Sequence, residues 1–277
     1  NGGVVAAGVR DTSAAHASHE HERVGTAARV WRAESFGSHV AVKEWKGGMD
    51  GFQDEVLALR LLSHPRIVRL LGADLSTETM YLEWAPKGDL YEYGVKHGRD
   101  RDVYVSKVMH YIPQWAHQLG SALAVVHAAG IIHYDVKPAN VLLSHGLSLI
   151  LADFSHSMYS GTDPAAWRQL TPVVGTLQWA APEALASGPT AFVTPASDMY
   201  AAGLTLWSTA VGMEVPYAHQ GFRSQQEAAT FVATERPTCV GGWPEDWRRT
   251  FARLWHRQAG KRMTAAELAA TKLSSIE

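Results

Sequence analysis

Ile131-Ile132-His133-Tyr134-Asp135-Val136-Lys137-Pro138-Ala139-Asn140-Val141-Leu142-Leu143 sets a cluster of polar side chains between two apolar runs. A short loop held between buried strands can aim a carboxylate, an ammonium and an amide at one point. Taken alone, the stretch also admits a plainer reading in which Asp135 and Asn140 cap turns. Downstream, the apolar run Leu149-Ile150-Leu151-Ala152 ends at Asp153. Asn140 and Asp153 both offer hard oxygen ligands suited to Mg²⁺, whose sites commonly take one or two protein groups plus substrate phosphates. A phosphate-handling reaction follows from that pair.

Upstream, Val40-Ala41-Val42-Lys43 puts a lysine at the end of an alternating strand. Short alternating runs at 28–33 and 39–43 predict strands, and a helix is expected over 52–62. There Phe52, Val56, Leu59 and Leu62 recur at three- and four-residue spacing, with Glu55 beside the stripe as a counter-ion for Lys43. Further strands are expected at 67–71 and 80–82. Ala85-Pro86-Lys87-Gly88-Asp89 then breaks the pattern as a hinge. Beyond it, Trp115, Leu119, Leu123 and Val126 mark a helix that stops near Gly130. Prolines at 164, 172, 182, 189 and 195 punctuate a long irregular segment before an apolar helix near 199–213.

Composition bounds the rest. A chain of 277 residues with 46% hydrophobic residues can bury a sizeable core. Lys+Arg at 25 against Asp+Glu at 27 leaves a net charge of −2, without the basic excess of a nucleic-acid binder. The single cysteine, Cys239, excludes an intrachain disulfide framework and a cysteine-rich zinc site. The uncharged stretch 108–134 carries Pro113 and four histidines and does not read as a membrane span. Residues 1–22 are rich in Ala, Gly, Ser and His and are expected to form a flexible extension. Its His16, His19 and His21 have no partner cysteine or metal-binding helix pattern and read as a solvated run.

Together these residues resemble the protein kinase family over roughly residues 23–270. The resemblance is carried by Val-Ala-Val-Lys at 40–43, Phe-Gln-Asp-Glu at 52–55, His-Pro-Arg-Ile-Val at 64–68, His-Tyr-Asp-Val-Lys-Pro-Ala-Asn at 133–140, Asp-Phe-Ser at 153–155 and Ala-Pro-Glu at 181–183, in the family's order. It implies that Lys43, held by Glu55, contacts the α- and β-phosphates of ATP, and that Asp135 orients the substrate hydroxyl and accepts its proton. Lys137 would neutralise charge at the γ-phosphate, while Asn140 and Asp153 would hold Mg²⁺, or Mn²⁺ in its place. Val24 and Gly25 would line the phosphate loop. Leu82 would be the gatekeeper, the Glu83 carbonyl and Ala85 amide would meet the adenine edge, and Val30, Ala41 and Leu142 would sandwich the ring. Asp198 would support the catalytic loop, Arg262 would pair with Glu183, and Leu59, Leu70, His133 and Phe154 would stack between the helix of Glu55 and that loop.

The fold class implied is α+β and two-lobed: a small mainly β lobe at 23–84, a hinge at 83–88 and a larger mainly α lobe at 89–277. Lys137 and the run 175–183 are similar to serine/threonine kinases, and Trp179 with the stretch 197–207 resembles their tyrosine-kinase-like branch. The implied partner is a protein bearing a Ser or Thr acceptor, with no nucleic acid and no membrane insertion. Regulatory or flanking domains outside this chain and an intracellular, cytoplasmic location are also expected.

Four positions depart from the family pattern. Arg23 and Ala28 stand at two of the three glycine positions of the phosphate loop, leaving only Gly25, and glycine is used there because its backbone approaches phosphates without a Cβ. Tyr134 stands where many kinases carry an arginine that pairs with a phosphorylated activation segment, here expected over 155–175 with Tyr159, Thr162 and Thr171. Activity is therefore expected not to require phosphate on Thr162, Thr171 or Thr176. Ser155 replaces a glycine that permits positive φ. These departures support a second reading, a pseudokinase scaffold that binds nucleotide without efficient transfer, although Lys43, Asp135 and Asp153 all stand. A small-molecule phosphotransferase of related fold is opposed by Thr176 and Ala181-Pro182-Glu183.

Overall fold

The computed structural model describes residues 16–17, 23–24, 28–35, 37–46, 49–159, 177–186, 192–239 and 242–276. In the small lobe, β1 (His16–Ala17), β2 (Arg23–Val24), β3 (Ala28–Ser35), β4 (Ser38–Trp45), β5 (Leu70–Asp74) and β6 (Thr79–Glu83) form one antiparallel sheet. Its order is β1-β3-β4-β6-β5, with β2 also on β3. The alternation read from the sequence becomes the pleat: Val40 and Val42 are buried and pack with Ala33 on one face. Within the stretch expected to be an extension, His16 and Ala17 pair with Glu34 and Ala33, so two of its residues belong to the sheet edge.

The helix α1 (Met49–Leu61) turns Phe52, Val56 and Leu59 into the core, as their spacing predicts. It begins three residues before the expected start, because Met49, Asp50 and Gly51 add no apolar period to announce a first turn. The strand expected at 67–71 is displaced to Leu70–Asp74. Ile67 and Val68 are apolar for another reason: they are buried against the large lobe. Ile67 bridges to Leu151, the Val68 amide donates to the Leu151 carbonyl at 2.9 Å, and the Leu151 amide donates to the Arg66 carbonyl at 2.8 Å.

The chain crosses to the large lobe through residues 84–88. There Asp89 accepts from the Glu92 amide at 2.8 Å and caps α2 (Leu90–His97), which is followed by α3 (Arg101–Lys107). The large lobe is built on α4 (Ile112–Ala128) and α6 (Pro195–Ala210). On α4 the predicted stripe of Trp115, Leu119, Leu123 and Val126 is fully buried. Gly130, at φ 72°, ends the turn after α4 and donates its amide to the His127 carbonyl. Between these helices lie β7 (Ile131–Ile132), β8 (Val141–Leu143), β9 (Leu149–Leu151), β10 (Met158–Tyr159) and the short α5 (Pro182–Leu185). The ribbons β7/β10 and β8/β9 hold the two ends of the polar loop. Helices α7 (Gln225–Thr234), α8 (Glu245–Leu254) and α9 (Ala265–Ala270) complete the lobe. Helix α6 opens on a capping box of Thr194 and Ser197 and is buried along nearly its whole length. Among the described residues no helix is long and apolar enough to cross a membrane. The fold is thus α+β and two-lobed, as expected.

Candidate active site

Three elements bring three charges together at the seam between the lobes. Lys43 near the end of β4 donates to Glu55 Oε1 at 2.9 Å and Oε2 at 2.7 Å, and to Asp153 Oδ1 at 2.8 Å. Glu55 is wholly buried and Lys43 nearly so. Burial alone would lower the lysine's pKa, but the two carboxylates outweigh it and hold the ammonium above its ordinary range. Burial likewise acts to raise Asp153, yet Lys43 holds that carboxyl well below the usual carboxylate range. The Glu55 carboxyl is pushed up by burial, with Lys43 opposing. Glu55 Oε1 also accepts from the Phe154 amide at 3.2 Å, so β4, through Lys43, and the Asp-Phe-Ser segment are docked on the one carboxylate that α1 carries.

The polar loop supplies the second half of the site. Asp135 is buried, and its Oδ2 accepts from Lys137 Nζ at 2.6 Å and from Asn140 Nδ2 at 2.8 Å. Asn140 Nδ2 also donates to the Asp135 carbonyl at 2.8 Å, which turns its amide nitrogen toward Asp135 and its oxygen elsewhere. The loop is shaped from below by Asp198 at the start of α6. That carboxylate accepts from the His133 amide, the Tyr134 amide and His127 Nε2, each at 2.9 Å. Tyr134 is held at φ 66° and Asp153 at φ 61°, a left-handed region costly for side chains of this kind and sustained by the surrounding bonds. His133 Nε2 lies 3.0 Å from the Ala152 carbonyl, and its ring packs on Phe154 at 4.6 Å between centroids. Leu59 is buried in the core cluster that also holds Phe154, and Leu70 is half-buried against it.

Strand register gives the positions of the residues expected around the adenine ring. Val30 lies opposite Lys43 and Ala41 opposite Leu82, while Leu142 on β8 faces Ile150 across the ribbon and bridges to Asp89. Leu82 and Ala85 are buried, and Glu83 donates its amide to the Arg69 carbonyl at 3.0 Å. Val24 on β2 pairs with Arg29 on β3. Gly25, Thr162, Thr171 and Thr176 lie outside the described residues, as do His19 and His21. Arg262 makes a two-pronged contact with Glu183 at 2.6 and 2.8 Å.

Two departures from the family pattern acquire a physical reading. Ser155 is not among the positive-φ residues, so in this arrangement its Cβ meets no left-handed strain. Burial raises the Tyr134 phenol, with Asp135 adding to the shift, and the hydroxyl has no hydrogen-bond partner among the described residues.

Sequence reasoning passed over His127, whose signal was its place in the last turn of α4 opposite an acidic helix start. It also passed over His156, whose Nδ1 stands 3.9 Å from Asp135 Oδ2, and Trp45, whose ring lies 5.2 Å from Lys43 Nζ. Among the described residues no cluster of three or more His, Cys, Asp or Glu is arranged for a metal. The two-oxygen set of Asn140 and Asp153 fits the sparse protein coordination of Mg²⁺, and Asp153 stays ionised at any physiological pH.

A family model for the protein kinase domain matches residues 24–273. A probable serine/threonine-protein kinase of Dictyostelium discoideum is 28% identical over 254 residues, covering 88% of this chain and 26% of the relative. The serine/threonine-protein kinase mos of Xenopus laevis is 32% identical over 208 residues, 68% of this chain and 55% of the relative. An Aurora kinase of Debaryomyces hansenii is 29% identical over 219 residues, 78% of this chain and 49% of the relative. The chain thus spans about a quarter to just over half of the length of these proteins.

Proposed function

Since this chain belongs to the protein kinase family and its domain is of the serine/threonine type, we propose that it transfers the γ-phosphate of ATP to Ser or Thr hydroxyls of a protein substrate, with Asp135 as the base. The observation that carries this reading is the joint state of the two half-sites. Lys43 is already paired with Glu55 beside Asp153, while Asp135 is fixed by Lys137 and Asn140. Catalysis of phosphoryl transfer is mostly positioning and charge stabilisation, and both are built before substrate arrives.

In this reading Lys43 turns from Asp153 toward the α- and β-phosphates while Glu55 keeps hold of it. Lys137 sits beside the attacking oxygen's path and offsets charge on the γ-phosphate. Asp135 receives the hydroxyl proton on the carboxylate that Lys137 and Asn140 orient. Asn140 and Asp153 would hold Mg²⁺, which supplies positive charge to the phosphate oxygens when bound. The finer placement in the tyrosine-kinase-like branch rests on Trp179 and the stretch 197–207. Activity without phosphate on Thr162, Thr171 or Thr176 belongs to the same reading, because Tyr134 cannot make an arginine's ion pair.

The test is phosphate transfer from Mg-ATP to the chain itself and to a generic Ser/Thr protein substrate, followed by mass spectrometry, with Asp153→Asn as the control. Transfer to Ser or Thr that disappears in D153N is the expected result. Nucleotide binding without transfer, under conditions where another kinase works, would establish the pseudokinase alternative instead. Transfer to a small alcohol and no protein would move the chain to the small-molecule phosphotransferases.

A further inference from the structure

The strand β4 and the helix α1 meet at two levels. Lys43 and Trp45 are two residues apart on a strand, so their side chains leave the same face about 6.6 Å apart. Glu55 and Gly51 are four residues apart on a helix, so they share a face about 6 Å apart. Near-equal spacings let the antiparallel elements form two matched rungs. One rung is the Lys43–Glu55 ion pair. The other is Trp45 against Gly51: a Cβ placed on Gly51 would stand 2.9 Å from Trp45 Cη2 and 3.0 Å from Cζ3. The same Cβ would be 3.6 Å from the Ser155 carbonyl, so the Asp-Phe-Ser segment borders this rung as well. The indole occupies the space that any other residue at position 51 would claim.

Trp45 is well placed to transmit this contact. Its backbone is fixed at the end of β4, paired with Ala28 and donating to the Glu78 carbonyl at 3.1 Å. Its Nε1 is buried without a hydrogen-bond partner among the described residues, a cost accepted where the ring's volume matters more than its polar atom. Lys43 Nζ lies 5.2 Å from the ring centroid, within range of an attraction to its π face.

We propose that Trp45 is a positioning residue for phosphate transfer: seated on Gly51, it sets how close α1 approaches β4, and so keeps Glu55 on Lys43. This rests on the kinase reading above, in which that ion pair orients ATP. The contact between the indole and Gly51 works by shape.

Swapping volume across the rung tests it. Gly51→Leu forces α1 away from the ring, and the expected result is a fall of about tenfold or more in kcat/KM for ATP. Trp45→Leu combined with Gly51→Leu returns volume to one side and removes it from the other, and recovers a large part of that loss, a coupling that independent sites do not show. Trp45→Phe, which keeps a flat ring, stays within about threefold of the parent. Thermal melting is followed alongside, because a merely structural role would move stability in all three variants without a selective change in the ATP constants. Activity in G51L within twofold of the parent, or strictly additive effects in the double variant, overturns the proposal. Lys43→Met is run in parallel: if it leaves transfer intact, the catalytic reading itself fails, whereas a silent K43M beside a fully active G51L defeats only the role of Trp45.

Discussion

The Lys43–Glu55 and Arg262–Glu183 contacts are both buried ion pairs, with closest N···O distances of 2.7 and 2.6 Å, but their surroundings differ in kind. Around Arg262 every partner among the described residues belongs to the large lobe. Its guanidinium also donates to the Ala196 and His256 carbonyls and lies 4.9 Å over the Tyr200 ring, while Ser197 donates to Glu183 at 2.8 Å. Those bonds have nothing to exchange for. Lys43, in contrast, spends its donors on carboxylates from two different elements, and the Asp153 side chain is 37% exposed toward the cleft. A saturated buried pair fixes a shape; one whose third partner faces solvent can trade that partner for a substrate.

The sharpest way to break the comparison is to remove one cation from each pair. Arg262→Met leaves Glu183 buried without its counter-charge and is expected to cost about 3–5 kcal/mol of stability, read as a drop in the denaturant midpoint. The fraction that stays folded keeps its rate. Lys43→Met is expected to do the opposite, lowering the transfer rate about a hundredfold or more, as loss of one charge-stabilising donor does. Its melting temperature moves less than that of R262M, since burial already favours the protonated form of Glu55. Equal losses of stability in the two variants would erase the distinction. A smaller effect sharpens it: Thr194→Ala removes the cap of α6 beside the Glu183 network, for about 1 kcal/mol and no change in ATP affinity by calorimetry. The smallest is Ser155→Gly, expected within about 0.5 kcal/mol and twofold in rate, because Ser155 carries no positive-φ strain to relieve.

Much of this was legible before any coordinates. Residues whose chemistry is local could be named from order and spacing: Asp135 with Lys137 and Asn140 in one loop, Lys43 at a strand end, the stripe of α1, the stop at Gly130. What stayed hidden depends on long-range neighbours. Ile67 reads as sheet because burial against the other lobe and burial in a sheet demand the same apolar residue. Gly51 falls before the expected helix, and the indole from β4 explains why no side chain stands there. His127 and His156 were passed over because the carboxylates they face come from elsewhere in the chain, at Asp198 and Asp135.

The backbone bonds between Arg66, Val68 and Leu151 bear on how the two lobes can move. The lobes are joined covalently through residues 84–88, and these bonds make a second attachment at a different point of the seam. A body held at two points turns about the line through them. Opening that keeps both attachments intact is therefore a swing around one axis, like a door on two pins, rather than a free swivel on a single tether. A rotation about that axis keeps Lys43 and Asp153 on one arc, so the register between the halves of the site is a property of the axis.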